Sequence, residues 1–278
     1  MSQRTCQNKS ILVILETHYP TSPLDDLIKE FYLIRIETGK NVRSIPVIDD
    51  CCYDLVFFKE QKGALFYGKN DTLLPMNSGI FTIHGLSPPY KIQFEDTLTF
   101  FTIKFQPWAN RYFFPDLKGK GVLDLGVSDP SMWQLHKALF GQDEPEKCFA
   151  LAEQYMLPHL SKWNPSMELV REVCTFVYDK SGKVTVNELS EQFQRSRQYL
   201  GKVFKKEVMY SLKKFIITVR ILDLVKYKAK HPNISLTQIC YDYGYFDQSH
   251  FINDFKKVCG VKPLQFFNNL PEFMLRHQ

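Results

Sequence analysis

Between Phe31 and Phe105 the apolar residues come in short runs: FYLIRIE from Phe31, DLVFFKE from Asp54, ALFYG from Ala64, GIFTIHG from Gly79 and LTFFTIKF from Leu98. Rich in β-branched and aromatic side chains and broken by Gly, Pro and Asn, they predict strands of a sandwich or barrel. After Gly121 the period changes. Met132, Leu135 and Leu139, then Cys148, Leu151, Ala152 and Tyr155, fall at helical spacings on either side of the turn-like stretch from Gly141 to Glu146. A further helix is predicted over Glu168 to Tyr178, with Leu169, Val173, Phe176 and Val177 inward. Asn164-Pro165 lies in a short linker over 161–167, which separates a domain over 1–160 from one over 168–278.

In the second domain the pattern resolves into two pairs of helices. Ser235 is an N-cap candidate for a short helix bearing Ile239 and Cys240, and Gly244 marks a sharp turn with φ above zero. On the next helix Phe251, Phe255 and Val258 would bury together, which turns Ser249, Asn253, Lys256 and Lys257 outward. Gly260 and Pro263 end it after about three turns, a length that fits a major groove. Phe204-Lys205-Lys206 is echoed by Phe255-Lys256-Lys257, 51 residues on, and Phe215 and Phe266 keep that offset. Such a repeat implies two copies of one unit. The first copy has a supporting helix from Val184 to Leu189 and an outer helix from Ser196 to Lys206. Leu200, Val203 and Phe204 are its inner stripe, with Gln198, Lys202 and Lys205 outside. The apolar segment Phe215 to Tyr227 is the helix that joins the copies.

The spelling S-L-x-x-I-C-x-x-x-G-Y-x-D-x-S-x-F-x-x-x-F-K-K-x-x-G-x-x-P, from Ser235 to Pro263, resembles the second helix-turn-helix of AraC-type transcription regulators, and the likeness runs upstream through Arg220 and Ile221. The first copy departs from the family pattern at Gln194, in the turn, and at Met209, where the second copy has Gly260. Three stretches are similar to a poorly characterised N-terminal domain of some AraC-type regulators: Tyr19 to Phe31, Asp49 to Phe57, and Phe94 to Pro115. The resemblance implies an α+β chain. A cupin-like β-barrel with accessory helices would sense or dimerise, and an all-α domain with helix-turn-helix units over 184–206 and 235–258 would bind double-stranded DNA. It also implies activation through RNA polymerase, with repression open, and it leaves room for a small-molecule effector and a homodimer. The helices after Gly121 fit either a dimer contact or a cover for the barrel.

Chemistry then assigns the outer faces. Amides suit adenine edges, lysine suits guanine and serine is permissive, so base contacts are expected from Gln198 and Lys202 in the first copy and from Gln248, Ser249, His250 and Asn253 in the second. His250 fits equally well packed beside its helix. Gly201 stands at a family contact position without a side chain. Lys205, Lys206, Lys256 and Lys257 are expected to meet phosphate, with a solvated face as the plainer reading.

Charge supports this division. Residues 1–165 hold 17 Lys and Arg against 19 Asp and Glu, whereas residues 166–278 hold 18 against 11. A basic balance confined to one domain suits a polyanion, whose counterions are released on binding. With 278 residues and 44% hydrophobic content the chain can build two real cores. The run Ile11 to Leu15 is too short for a signal or membrane segment, so a soluble cytoplasmic protein without a membrane partner is expected. Seven scattered cysteines, none in C-x-x-C, predict reduced thiols; an exposed, low-pKa Cys51 or Cys52 would be needed for redox sensing.

His84 stands alone in its strand and His18 lies far upstream, short of the several ligands a metal-binding cupin needs, and no nucleophile elbow, P-loop or dinucleotide fingerprint occurs. No cofactor and no enzyme activity are expected. The rival readings are a small-metabolite enzyme in the β-domain with ancillary DNA binding, and a ligand-free dimerisation module. Phe94, Phe100, Phe101, Phe105, Trp108, Tyr112, Phe113 and Phe114 fit either a ligand pocket or ordinary core, with core expected for most.

Overall fold

The computed structural model describes residues 12–59, 63–68, 70–86, 89–127, 129–160 and 164–268. Cys6 and residues 161–163 of the expected linker lie outside them. Eight strands of the described residues form one antiparallel sheet: β1 (Leu12–His18), β2 (Ile28–Val47), β3 (Asp54–Phe58), β4 (Ala64–Tyr67), β5 (Thr72–Pro75), β6 (Ile80–His84), β7 (Tyr90–Phe105) and β8 (Gly121–Asp124). The spatial order is β1-β2-β7-β3-β6-β8, with β4 also on β7 and β5 on β4. The long strands β2 and β7 pair from Ile28↔Phe105 to Val47↔Tyr90, and register shifts near Glu37 and Gly39 bend them. One half of β7 therefore takes β3 as its second neighbour and the other half takes β4.

Strand alternation divides this curled sheet into two faces. On β7, Phe101, Ile103 and Phe105 enter the main core, while Leu98, Phe100, Thr102 and Lys104 face a cavity on the concave side. Leu55 and Phe57 of β3 likewise join the core, and Val56 and Phe58 face the cavity. The expected barrel is not closed: among the described residues no pairing joins β1 to β8. Helices take over at the core face and at one edge. Helix α2 (Ser131–Phe140) and helix α3 (Pro145–Met156) follow the helical turn α1 (Asn110–Phe113). His136 of α2 bonds the Phe58 carbonyl, and Phe149 of α3 packs on Phe101. At the edge, His18 of β1 lies 2.9 Å from Glu153 of α3 and stacks on Phe149.

Seven helices follow: α4 (Pro165–Asp179), α5 (Val186–Gln192), α6 (Arg197–Val208), α7 (Leu212–Lys230), α8 (Leu236–Asp242), α9 (Gln248–Cys259) and α10 (Pro263–Asn268). Helix α4 begins inside the expected linker, where Asn164 caps it by accepting from Met167 N–H at 2.9 Å. One apolar cluster runs from Leu24 of the sheet half through α2, α3, α4 and α6 to Val219 of α7. A second gathers Ile221, Leu224 and Val225 of α7 with α8, α9 and α10. Helix α7 is thus shared between two helical cores, one residue stripe for each.

The sheet half also ties itself to the helices by polar contacts. Buried Asn110 donates to the Cys51 and Val208 carbonyls at 2.9 and 2.8 Å. Asp49 pairs with Lys214 of α7 at 2.7 Å. A Cβ at Gly260, the left-handed C-cap of α9, would collide with Pro89 ahead of β7. No helix of the described residues is long and apolar enough to cross a membrane.

Candidate nucleic-acid interface and the adjoining cavity

Local capping sets both helix pairs. Thr185 and Glu188 form a reciprocal capping box at α5, at 2.7 and 3.2 Å, and these hydrogen bonds hold the Glu188 carboxyl below its ordinary range. Ser196 caps α6, Ser235 caps α8 and Asp247 caps α9, each side chain accepting from the N–H three residues on. In the first turn Gln194 adopts φ 50°, and in the second Gly244 adopts φ 74°. Gln194 therefore takes the left-handed turn role assigned to it, without the freedom of glycine.

The two turns differ in length. Four residues separate α5 from α6, and five separate α8 from α9. The caps Thr185 and Ser235 are 50 apart, whereas Ser196 and Asp247 are 51 apart. The longer turn carries Phe246, whose side chain is 91% exposed beside the start of α9.

Arg220 of α7 spans both pairs. Its guanidinium donates to the carbonyls of Gly182 and Val184, ahead of α5, at 2.8 and 3.3 Å, and lies over the ring of Tyr245, ahead of α9. One side chain therefore touches the entry to each pair.

The side chains assigned to DNA sit on two helices. Gln198, Lys202, Lys205 and Lys206 are exposed on α6; Gln248, Ser249, His250, Asn253, Lys256 and Lys257 are exposed on α9. Beneath them Leu200 and Phe204, and Phe251, Phe255 and Val258, are buried, while Val203 is half-buried. Some of the outer groups already hold partners. Lys257 lies 2.8 Å and His250 3.3 Å from Asp254, whose carboxylate is buried, and His250 also packs edge-on against Tyr245. Gln248 donates to Thr237 of α8 at 3.1 Å. Arg195 and Arg197, also exposed, were not singled out by sequence reasoning, although two arginines flanking the Ser196 cap are a basic signal at a helix start; Arg197 donates to Asn187 at 3.2 Å.

On the concave side of the sheet lies a cavity of about 170 Å³. Its walls come mainly from β2, β3, β6 and β7, and Tyr210 and Leu222 of the helical half close one side. Of the aromatics considered for a pocket, Phe100 lines it; Phe101, Phe105, Trp108 and Phe114 are core, and Phe94 is buried without lining it. At one end Lys104 reaches Asp50 at 3.2 Å and Asp54 at 3.1 Å, and Lys29 reaches Asp50 at 3.2 Å. Burial alone would lower Lys104, but Asp50 and Asp54 hold it well above the ordinary lysine range.

Burial, with Asp50 adding to it, pushes the Cys52 thiol up to about 12, and burial also raises Cys51. Neither has the low-pKa, exposed character of a sensor thiol. The six described cysteines are all buried and unbonded. Among the described residues no three His, Cys, Asp or Glu side chains converge on a possible metal position.

Two capped helices presenting amide and ammonium side chains, mounted through a shared α7, define a helical domain of the nucleic-acid-binding kind. Residues 189–269 match the helix-turn-helix domain family, and residues 16–118 match a domain of unknown function, DUF6597. The chain is 31% identical over 119 residues to the Msm operon regulatory protein of Streptococcus mutans, a match spanning 42% of this chain and 42% of that relative. Among solved structures it is similar to ToxT from Vibrio cholerae, at 14% identity and a TM-score of 0.45, covering 94% of this chain and 98% of that one. It is also similar to the C-terminal domain of AraT, a response regulator from Geobacillus stearothermophilus, at 22% identity and a TM-score of 0.33, covering 42% of this chain and 89% of that one. The chain belongs to the AraC family, a family of DNA-binding transcription regulators.

Proposed function

We propose that this chain is a sequence-specific transcription regulator in which α6 and α9 act as two recognition helices of one molecule. The observation that carries this reading is the pair of capped helices whose ten assigned amide, hydroxyl, imidazole and ammonium groups are all exposed, above buried apolar stripes. Gln198, Lys202, Gln248, Ser249, His250 and Asn253 would read base edges. Lys205, Lys206, Lys256 and Lys257 would meet phosphate. With both helices on one DNA face, adjacent major-groove segments roughly 34 Å apart are read together.

The division into a sensing half over 1–160, a linker over 161–167 and a DNA-binding half over 168–278 belongs to the same proposal. So do activation through RNA polymerase, a homodimer, a cytoplasmic setting and a small-molecule effector in the sheet half. The cavity on the concave face supports the effector. The name of the streptococcal relative, an operon regulatory protein, supports the regulatory role.

Because one apolar cluster crosses from the sheet half into α4, α6 and α7, the test uses the full chain. Point variants read against specific and random duplexes separate the two classes of contact. Loss confined to one base position marks a reading residue, and uniform weakening marks a phosphate contact.

A further inference from the structure

We propose that the cavity on the concave face of the sheet takes an uncharged, compact aromatic molecule with one hydrogen-bonding group, held by the Thr102 hydroxyl. This rests on the sheet half being the sensing half. It adds the chemical class of the effector.

Three observations converge on that class. The first is size and lining. About 150 Å³ accommodates a benzene-sized ligand, and this cavity of about 170 Å³ is walled by Phe58, Phe81, Phe100, Tyr32 and Tyr90 together with aliphatic side chains. Aromatic walls at edge and face angles, such as the Phe58 and Phe81 rings at 4.9 Å and 82°, favour a flat ring over a flexible chain.

The second is charge balance. Asp49, Asp50 and Asp54 at the polar end are matched by Lys214, Lys29 and Lys104, three carboxylates against three ammonium groups in direct pairs. An ionised ligand entering here would bury a charge with no counterpart, or would have to break a pair already made. A neutral ligand does neither.

The third is Thr102. It is fully buried, it lines the cavity, and its hydroxyl has no hydrogen-bond partner. A buried hydroxyl left without a partner is costly to the fold. One hydrogen bond from a bound molecule would satisfy it.

The test uses the full chain with three small probes of nearly one shape: phenol, benzoate and benzylammonium. Each is titrated by calorimetry and by thermal unfolding, and DNA binding is followed on the same samples. Phenol is expected to bind and raise Tm, at least about tenfold tighter than either ion. Thr102→Val, which keeps the shape, is expected to weaken phenol about three- to tenfold. The same variant is expected to raise the Tm of the ligand-free protein by about 2–4 °C, because the unpaired hydroxyl is gone.

Tighter binding of either ion overturns the charge argument. Unchanged phenol binding in Thr102→Val overturns the role of the hydroxyl, and no binding by any probe overturns the site. Normal phenol binding by a chain that binds no DNA would leave this inference standing and remove the regulator reading.

Discussion

The Asp49 carboxylate lies 2.7 Å from the Lys214 ammonium, which joins the segment between β2 and β3 to the helix shared by both DNA-facing pairs. The pair is unequally covered: the Asp49 side chain is 6% exposed and that of Lys214 is 32% exposed. Lys214 also rests 4.2 Å from the ring centre of Tyr210, which lines the cavity. We predict that Lys214→Met costs about 2–3 kcal/mol, because it strands a buried carboxylate, whereas Asp49→Asn costs less than about 1 kcal/mol, because water can reach the remaining ammonium. Urea unfolding of both variants checks this, and equal costs would remove the pair as an interdomain tie.

The two turns make opposite predictions. Gly244 has open space around a would-be Cβ, so Gly244→Ala carries only the strain of positive φ, about 1 kcal/mol of lost stability. Gln194 already bears that strain at φ 50°, so Gln194→Gly should stabilise by a few tenths to about 1 kcal/mol. Thermal unfolding of the pair decides; the same sign in both would contradict the turn geometry.

Adjacent lysines on α9 should behave differently. Lys256→Ala is expected to weaken binding to all DNA sequences alike and to lower the salt slope by roughly one, leaving stability unchanged. Lys257→Ala also removes a partner of the buried Asp254 and should cost about 1 kcal/mol of folding stability as well. Asn253→Ala should instead lose about 1–3 kcal/mol of discrimination at one base position. Competition binding with specific and random duplexes, together with unfolding curves, separates the three.

Burial holds the His84 imidazole below its ordinary range, and its Nδ1 is hydrogen-bonded to the Tyr53 hydroxyl. With the folded value below the unfolded one, near 6.5, the neutral ring contributes stability above that pH and loses it as pH falls through 6.5 towards the folded value. Stability measured from pH 7.5 down to pH 5.5 should therefore fall less steeply in His84→Gln than in the parent chain. An identical slope would show that His84 does not titrate differently on folding.

Much of the architecture was legible because it is local. The strands β2, β3, β4, β6 and β7 announce themselves in aromatic and β-branched runs, and Ser235, Gly244 and Gly260 mark helix ends through cap and turn chemistry. Strand β1 was passed over because its apolar run was weighed only as a membrane or signal segment, and β8 is only four residues long and starts at a glycine. Closure of the sheet depends on edge pairing, which no local pattern encodes.

The charge network around the cavity was hidden for the same reason. Asp49 and Lys214 are 165 residues apart, and Lys104 and Asp50 are 54 apart. The outer faces of α6 and α9 were legible from helical period alone, but the pairing of Lys257 and His250 with Asp254 was not, since Asp254 reads as one more polar residue until its burial is seen. The Phe-Lys-Lys repeat at 51 residues concealed the extra residue in the second turn, because it aligns only the outer helices.

The central claim is that one chain reads DNA through α6 and α9 together. Selection of the full chain against a random double-stranded library, over several rounds at about physiological salt, tests it most directly. The expected product is a motif of two blocks about one helical turn apart, one lost in Lys202→Ala and the other in Asn253→Ala. Binding that salt erases and that enriches no motif, or a single block unaffected by the α6 variant, would contradict it.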